Sequence, residues 1–373
     1  MERVGTLRRP YGQGGRDVKG KRMSEGIWQS KHRATLKDVA RTAGVSQSTT
    51  SRALSGEGYV AAQVRERVLA AAEELGYVPH AMARSLRKQV NRSIGVLVSD
   101  LRNSFYADLA AGIAARARSH GYTMMLVDDQ GVSSEELGAA QAFVATRAAG
   151  VIVTPLSAAV STYLLHQNIP VVEVDRQFLA GECDAVVIDN ASVARRITDH
   201  LITLGHRRIA LLIDETDWTT GSERYAGYQT SLEESGIAPD PTLLVSAGWD
   251  AGDARKAAID ILARRERPTA IFAANNLLAE GVWRAASDLG LRIPEDLSIV
   301  SFDDAQWMSM VTPGITAVAQ DAVALGRAAM DQLLERIEHP DAPPVTVVLE
   351  AEILPRGSTA SPRPTAEAAL SGN

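Results

Sequence analysis

A single cysteine, Cys183, stands in a chain of 373 residues. That scarcity excludes an internal disulfide and any zinc cluster assembled from several thiolates. Nowhere does an apolar run reach the roughly 18–20 residues that cross a bilayer. The opening MERVGTLRRPYGQGGRDVKGKR lacks the apolar stretch of a secretory signal. A cytoplasmic protein with no membrane partner is therefore expected. The phosphate-binding patterns G-x-x-x-x-G-K-[ST] and strand-following G-x-G-x-x-G are absent, as is H-E-x-x-H, and the seven histidines are scattered. No catalytic residue, metal site or cofactor is expected.

What is present begins with length and charge. A chain this long exceeds one ordinary core, so two or three domains are expected. Hydrophobic residues at 45% and 29 glycines describe a turn-rich globular chain. The net charge of −6 hides an asymmetry: residues 1–92 hold 18 Lys/Arg against 8 Asp/Glu, and the remainder 21 against 37. A basic head suits a polyanion, and an acidic body stays off it. Charge alone fits DNA, RNA or an anionic membrane equally. Residues 1–34 show neither helical nor strand period and read as a disordered basic extension, with translation starting at Met1 or Met23.

Order is expected from TLKDVARTAGVSQSTTSRALSG, residues 35–56. Thr35 is a suitable N-cap, and Asp38 three residues on completes a capping box. Leu36, Val39, Ala40 and Ala43 repeat at i, i+3, i+4, i+7, one apolar helical face. Gly44 supplies the turn and Ser46 caps a second helix, which presents Gln47, Ser48, Ser51 and Arg52. Short polar side chains at a helix start, with an arginine one turn on, suit a helix set end-on in a major groove. An ordinary surface hairpin has the same spacing. A third helix is expected over 62–75, with Val64, Val68, Ala71, Ala72 and Leu75 inward. The basic stretch 79–92 that follows has too little apolar area to form a helix alone.

From residue 93 the chain alternates β-rich runs with helical periods: IGVLVSD, a helix to His120, YTMMLVD, a helix over 134–148, GVIVTP, a helix, and IPVVEVD. The rhythm restarts after Asp189 and ends in a helix over 321–338 and the run VTVVLEAEI, 345–353. This is the pattern of doubly wound parallel sheets in two successive units. Asp175 and Asp303 each end a strand, where open α/β sheets bind ligands. They form a possible acid/base pair, but no activated nucleophile stands beside either, which favours binding over chemistry.

The head motif, continued by YVAAQVRERVLAAAEELGYVPHAMARSL, resembles the head and hinge of the LacI/GalR family of transcription regulators, and the similarity extends to about residue 356. The resemblance implies a small all-α helix-turn-helix domain (35–78), a hinge helix and linker (79–92), and an α/β body (93–356). That body is two-lobed, resembling periplasmic sugar-binding proteins, and a disordered tail (357–373) follows it. It implies base reading by Gln47, Ser48 and Arg52, and a minor-groove wedge at Leu86 beside Ala83 and Arg84. In the body it implies effector contacts from Asn103, Phe105, Tyr106, Asp175, Arg176, Arg224, Asn275, Asp303 and Gln320, with Trp249 as an aromatic wall. Departures are Thr50 for a usual valine, Ala61 for a usual serine cap, Val64 for threonine, His80 for a hinge asparagine and Asn276 for aspartate. The implied protein is a homodimer on a near-palindromic operator, a repressor controlled by a monosaccharide or related effector. The alternatives are a constitutive DNA-binding regulator with a degenerate body and, more remotely, a solute-binding protein or an enzyme on this scaffold.

Overall fold

The computed structural model describes residues 34–56, 58–77, 92–214 and 217–363. The hinge positions Ala83, Arg84 and Leu86, His80, and residues 1–33 lie outside them. Two compact units divide the chain, the first reaching Arg84 and the second starting at Ser85.

The first unit contains α1 (Leu36–Ala43), α2 (Gln47–Ser55) and α3 (Ala62–Glu74). Its helix boundaries follow local chemistry. The Thr35 side chain accepts from the Asp38 amide while Asp38 reaches back to the Thr35 amide, so both halves of the capping box form. Gly44 closes α1 at φ 66°, a left-handed turn that side chains resist. Ser46 caps α2 through the Thr49 amide. The hydroxyl of the buried Thr50 donates to the Ser46 carbonyl at 3.0 Å, so the change from valine leaves no orphaned donor. Val39, Ala43, Ala53, Val68, Ala71 and Ala72 make the core, with Val45, Leu54 and Leu75 packed on it. Ala61 starts α3 without any side-chain cap.

The second unit holds two six-stranded sheets. The N-lobe sheet is built from β1 (Ser93–Val98), β2 (Thr123–Asp128), β3 (Val151–Val153), β4 (Val171–Val174), β5 (Asp184–Ile188) and β11 (Thr346–Leu349). Its order is β11-β5-β4-β3-β1-β2, parallel throughout. Successive side chains on a strand face opposite ways. Ile94, Val96 and Val98 accordingly join Leu109 and Ile113 of α4 (Ser104–Ser119), while Leu97 joins Phe143 of α5 (Ser133–Ala145) and Leu164 of α6 (Ala158–His166).

The C-lobe sheet comprises β6 (Ile209–Ile213), β7 (Leu244–Ser246), β8 (Ala270–Ala273), β9 (Ser298–Phe302), β10 (Thr316–Gln320) and β12 (Ala351–Leu354). Its order is β12-β10-β9-β8-β6-β7, with β12 antiparallel to β10. Its helices are α7 (Asn190–Thr203), α8 (Thr219–Glu234), α9 (Ala251–Leu262) and α10 (Asn276–Asp288). After β10 the chain returns to the N-lobe as α11 (Ala322–Glu338), which packs on α4. Glycines permit that contact: a Cβ on Gly112 would lie 2.3 Å from the Val323 carbonyl oxygen, and one on Gly326 2.2 Å from that of Leu109.

Three expectations need correction. The run 345–353 is two strands, not one, and it breaks at Glu350 so that β11 completes one sheet and β12 the other. The strand at 184–188 is missing from the sequence reading, which resumes its rhythm only after Asp189. Arg336 from α11 pairs with its buried Asp184 through Nε at 2.6 Å, and Gln332 and the Val345 amide also donate to it. Nor does a disordered tail begin at 357. The Ser358 hydroxyl donates to the Ile299 carbonyl at 2.6 Å and accepts from the Thr316 amide, and the Ala360 carbonyl meets His206 Nε2 at 2.9 Å. The body thus extends through Arg363, which pairs with Asp296.

Candidate functional site

Among the aspartates at or just past strand C-terminal edges, four come together, two from each lobe. Asp100 lies two residues past β1 and Asp175 follows β4; Asp214 follows β6 and Asp303 follows β9. All four line one cavity of about 40 Å3 between the lobes. Every effector residue named from the sequence lines it as well: Asn103, Phe105, Tyr106, Asp175, Arg176, Arg224, Trp249, Asn275, Asp303 and Gln320. Asp100, Asp214, Thr220 and Leu277 complete the wall, and the sequence reading does not include them. Asp175 and Asp303 adopt φ of 69° and 67°. A non-glycine residue bears some strain there, a conformation that clusters at functional sites.

On the N-lobe side, Tyr106 sits inside a polar relay. Arg176 Nη2 donates to its hydroxyl at 2.7 Å, and the hydroxyl donates to Asp175 Oδ2 at 3.2 Å. That commitment turns Tyr106 into a tie between the Asp175 and Arg176 charges. Arg176 Nη1 donates to the Ser99 hydroxyl and the Pro155 carbonyl, and its guanidinium carbon lies 3.9 Å from the Trp218 ring centroid. Arg176 Nε is buried without a hydrogen-bond partner, 3.8 Å from Asp175 Oδ2. Burial raises the Asp175 carboxyl above its ordinary range, against the opposing pull of Arg176 and Arg224.

On the C-lobe side, Arg224 stacks 3.7 Å from the Phe302 ring centroid. Its Nε donates to Asn190 Oδ1 at 2.9 Å and its Nη1 to the Ala274 carbonyl at 2.6 Å. Gln320 Nε2 donates to Asp303 Oδ1, while Gln320 Oε1 is buried without a partner. Burial pushes the Asp303 carboxyl up to about 6, offset in part by Arg224 and the Gln320 hydrogen bond. A buried donor and a buried acceptor without partners are costly, and a ligand that pairs with them removes that cost.

Contacts also run directly between lobes. Asn276 Nδ2 donates to Asn103 Oδ1 at 2.8 Å, and the same oxygen caps α4 through the Phe105 amide. An aspartate at 276 has no such donor when ionised. Trp249 packs edge-on to Trp218 at 4.3 Å between centroids, and lies so close to Gly131 that a Cβ there would come within 2.9 Å of its ring. Trp218, which the sequence does not single out, thus covers Arg176 from the opposite lobe.

In the first unit, Gln47, Ser48 and Arg52 are exposed and Ser51 is half-buried. The Ser48 hydroxyl lies 2.8 Å from that of the cap Ser46. Arg52 has its stem beside Gly58, whose added Cβ would meet Cδ at 3.4 Å.

Comparison with known proteins agrees with both halves of this picture. Residues 35–80 match the family of bacterial regulatory proteins described as the lacI family, and residues 198–359 match a periplasmic binding protein-like domain. The HTH-type transcriptional repressor PurR of Vibrio atlanticus (strain LGP32) is 32% identical over 328 residues, which cover 87% of this chain and 98% of that protein. Among solved structures, the lac repressor dimer bound to operator and the anti-inducer ONPF aligns with a TM-score of 0.77 at 28% identity, covering 88% of this chain and 99% of that one. A LacI family transcriptional regulator from Enterococcus faecium with bound ribose aligns with a TM-score of 0.65 at 27% identity, covering 72% of this chain and 99% of that one.

Proposed function

We propose that this chain, which belongs to the LacI family of bacterial regulatory proteins, is a repressor whose hold on operator DNA is governed by a small sugar bound between its lobes. As a member of that family it is a sequence-specific DNA-binding transcription regulator and not an enzyme. The finer reading rests on one observation: the cavity is ringed by acceptor and donor groups in neighbouring pairs, Asp175 beside Arg176, Asp214 beside Asn275, and Asp303 beside Gln320. A hydroxyl group both donates and accepts, so each pair satisfies one hydroxyl of a sugar. Phe105 and Trp249 offer apolar surface for the ring face. Ribose in the Enterococcus faecium relative supports this class of effector.

The cavity has room for only a few waters, so the lobes or side chains must part to admit a monosaccharide. Opening breaks the Asn276–Asn103 hydrogen bond and lifts Trp249 from Gly131. The effector then selects one lobe arrangement. In a homodimer with two heads on two half-sites, that choice changes head spacing and therefore operator affinity. The hinge segment with Ala83, Arg84 and Leu86 is the proposed connection, with Leu86 as the minor-groove wedge and Gln47, Ser48, Ser51 and Arg52 as the readers.

The test selects an operator from randomised DNA with the full chain, then titrates free pentoses and hexoses into the complex. The selected site should be near-palindromic, and one sugar should shift operator affinity by about 5- to 150-fold, the usual range of such coupling. A sugar that neither binds nor alters operator affinity, across the whole panel, leaves the constitutive regulator as the better reading.

A further inference from the structure

A helix from each lobe begins at the cleft, and each is capped by an asparagine of the cavity wall. Asn103 caps α4 and Asn275 caps α10. Asn276, the first residue of α10, reaches across to the cap of the other helix and donates from Nδ2 to Asn103 Oδ1 at 2.8 Å. Asn103 is 8% exposed and Asn276 3%, so neither amide has bulk water to replace a lost partner.

The polarity of this pair is fixed by one backbone group. The Phe105 amide can only donate, and it donates to Asn103 Oδ1 at 3.0 Å. A reversed Asn103 amide would set N–H against N–H there. With Oδ1 held toward Phe105, the atom that Asn276 presents to it must also be a donor. Oδ1 has two lone pairs, and these two bonds use both. What Asn103 has left for the cavity it lines is Nδ2, which has no partner among the described residues and can only donate.

Aspartate at 276, the residue that the resemblance to regulators leads one to expect, would undo this arrangement. An ionised carboxylate sets acceptor against acceptor across the lobes. Asn103 then turns its amide, abandoning the Phe105 amide and offering Oδ1 to the cavity, or the lobes separate. In either case the closed cavity loses its donor at this point.

We propose that Asn276 is a specificity-determining positioning residue: from the C-lobe it commits Asn103 to donate, and the closed cleft thereby selects an effector with an accepting oxygen at that point. The inference rests on the sugar reading above and names the group that the sugar presents to Asn103. A ring oxygen, which carries no hydrogen, meets the requirement outright. A hydroxyl meets it with its own hydrogen directed to another acceptor.

Calorimetry on the full chain tests it, first with the common aldopentoses, aldohexoses and ketohexoses on wild type, then with each sugar that binds on the variants. Asn103→Asp keeps an oxygen toward both the Phe105 amide and Asn276, and replaces only the cavity donor by an acceptor. It should melt no lower than wild type, since aspartate caps helices as well as asparagine does. Its affinity for the sugar should nevertheless fall at least about tenfold. Asn276→Asp should lose affinity by a similar factor, but by less than about twofold in an Asn103→Ala background, where no amide remains to be oriented. Asn103→Ser, which keeps a capping oxygen without the amide donor, serves if the aspartate variant melts below wild type. Unchanged affinity in a well-folded Asn103→Asp overturns the inference, because the effector then donates at that point as readily as it accepts. A loss at Asn276→Asp that persists in full without the Asn103 amide also overturns it. Either result leaves the sugar reading standing, whereas silence of the wild type across the whole panel removes both.

Discussion

Two arginines, one in each unit, meet their proposed partners on different terms. Arg224 is 7% exposed, stacked on Phe302 and tied by two hydrogen bonds. Arg52 is exposed, with its stem beside Gly58. Holding a long side chain in one rotamer costs up to about 2 kcal/mol of entropy. For Arg224 the folding of the body has already met that cost, whereas Arg52, exposed in the free head, would meet it only on contact with the proposed DNA partner. Under the proposed function the body is thus preorganised for its small ligand, and the head relies on the large surface of the duplex to order its side chains.

The sharpest way to break this comparison is at Arg224. Arg224→Ala removes a charged partner from a closed cleft and leaves Asn190 Oδ1 and the Ala274 carbonyl without a donor. Effector affinity should fall by at least about 2 kcal/mol, roughly thirtyfold, while effector-free operator affinity stays near wild type. Arg224→Lys should not restore it, because an ammonium has neither the planar face that lies on Phe302 nor the fixed fork of donors. Calorimetry and operator titration measure the two affinities. Rescue by lysine would mean that charge alone matters and that preorganisation does not.

A smaller effect is expected at Arg52. Arg52→Ala should cost about 1–3 kcal/mol of discrimination at one base position per half-site, with other positions unaffected. Binding across a set of single-base operator variants reads this directly. Uniform weakening on all of them, with a shallower salt dependence, would reassign Arg52 to a phosphate.

The same contrast governs how much of each unit is legible in the sequence. The head is specified by signals at most four residues apart: Thr35 with Asp38, Gly44, and Ser46 with Thr49 each act within one helical turn, and the helices form where those signals place them. The alternating rhythm of the body is equally visible. Its crossing is not, because nothing near Glu350 states that β11 and β12 belong to different sheets. The cleft lies between these extremes. The rule that selects Asp175 and Asp303 from strand ends applies equally to Asp100 and Asp214, which stand at matching ends of β1 and β6. Resemblance to relatives favours the first pair and passes over the second. Trp218 carries no signal of this kind, since its place over Arg176 depends on how the lobes meet.

The smallest effect expected is at the start of α3, and it sharpens the contrast from the side of the head. Thr35 and Ser46 cap the first two helices through side-chain oxygens. Ala61 has none to offer, and the Val64 amide bonds instead to the Ala61 carbonyl at 3.0 Å. The Ala61 backbone has φ −53° and ψ 139°, extended enough at ψ for a capping side chain to reach the third helical residue as Ser46 does. Ala61→Ser should therefore stabilise the head by about 0.5–1 kcal/mol. Amide hydrogen exchange on the full chain measures this locally: protection in α3 should rise about two- to fivefold, the same energy expressed as an opening equilibrium. Exchange in the sheets of the body and effector affinity should not change, because the gain is confined to one helix end in the other unit. A rise in body protection of equal size would show that head and body open as one cooperative unit, and the division of labour drawn from Arg52 and Arg224 would then fail.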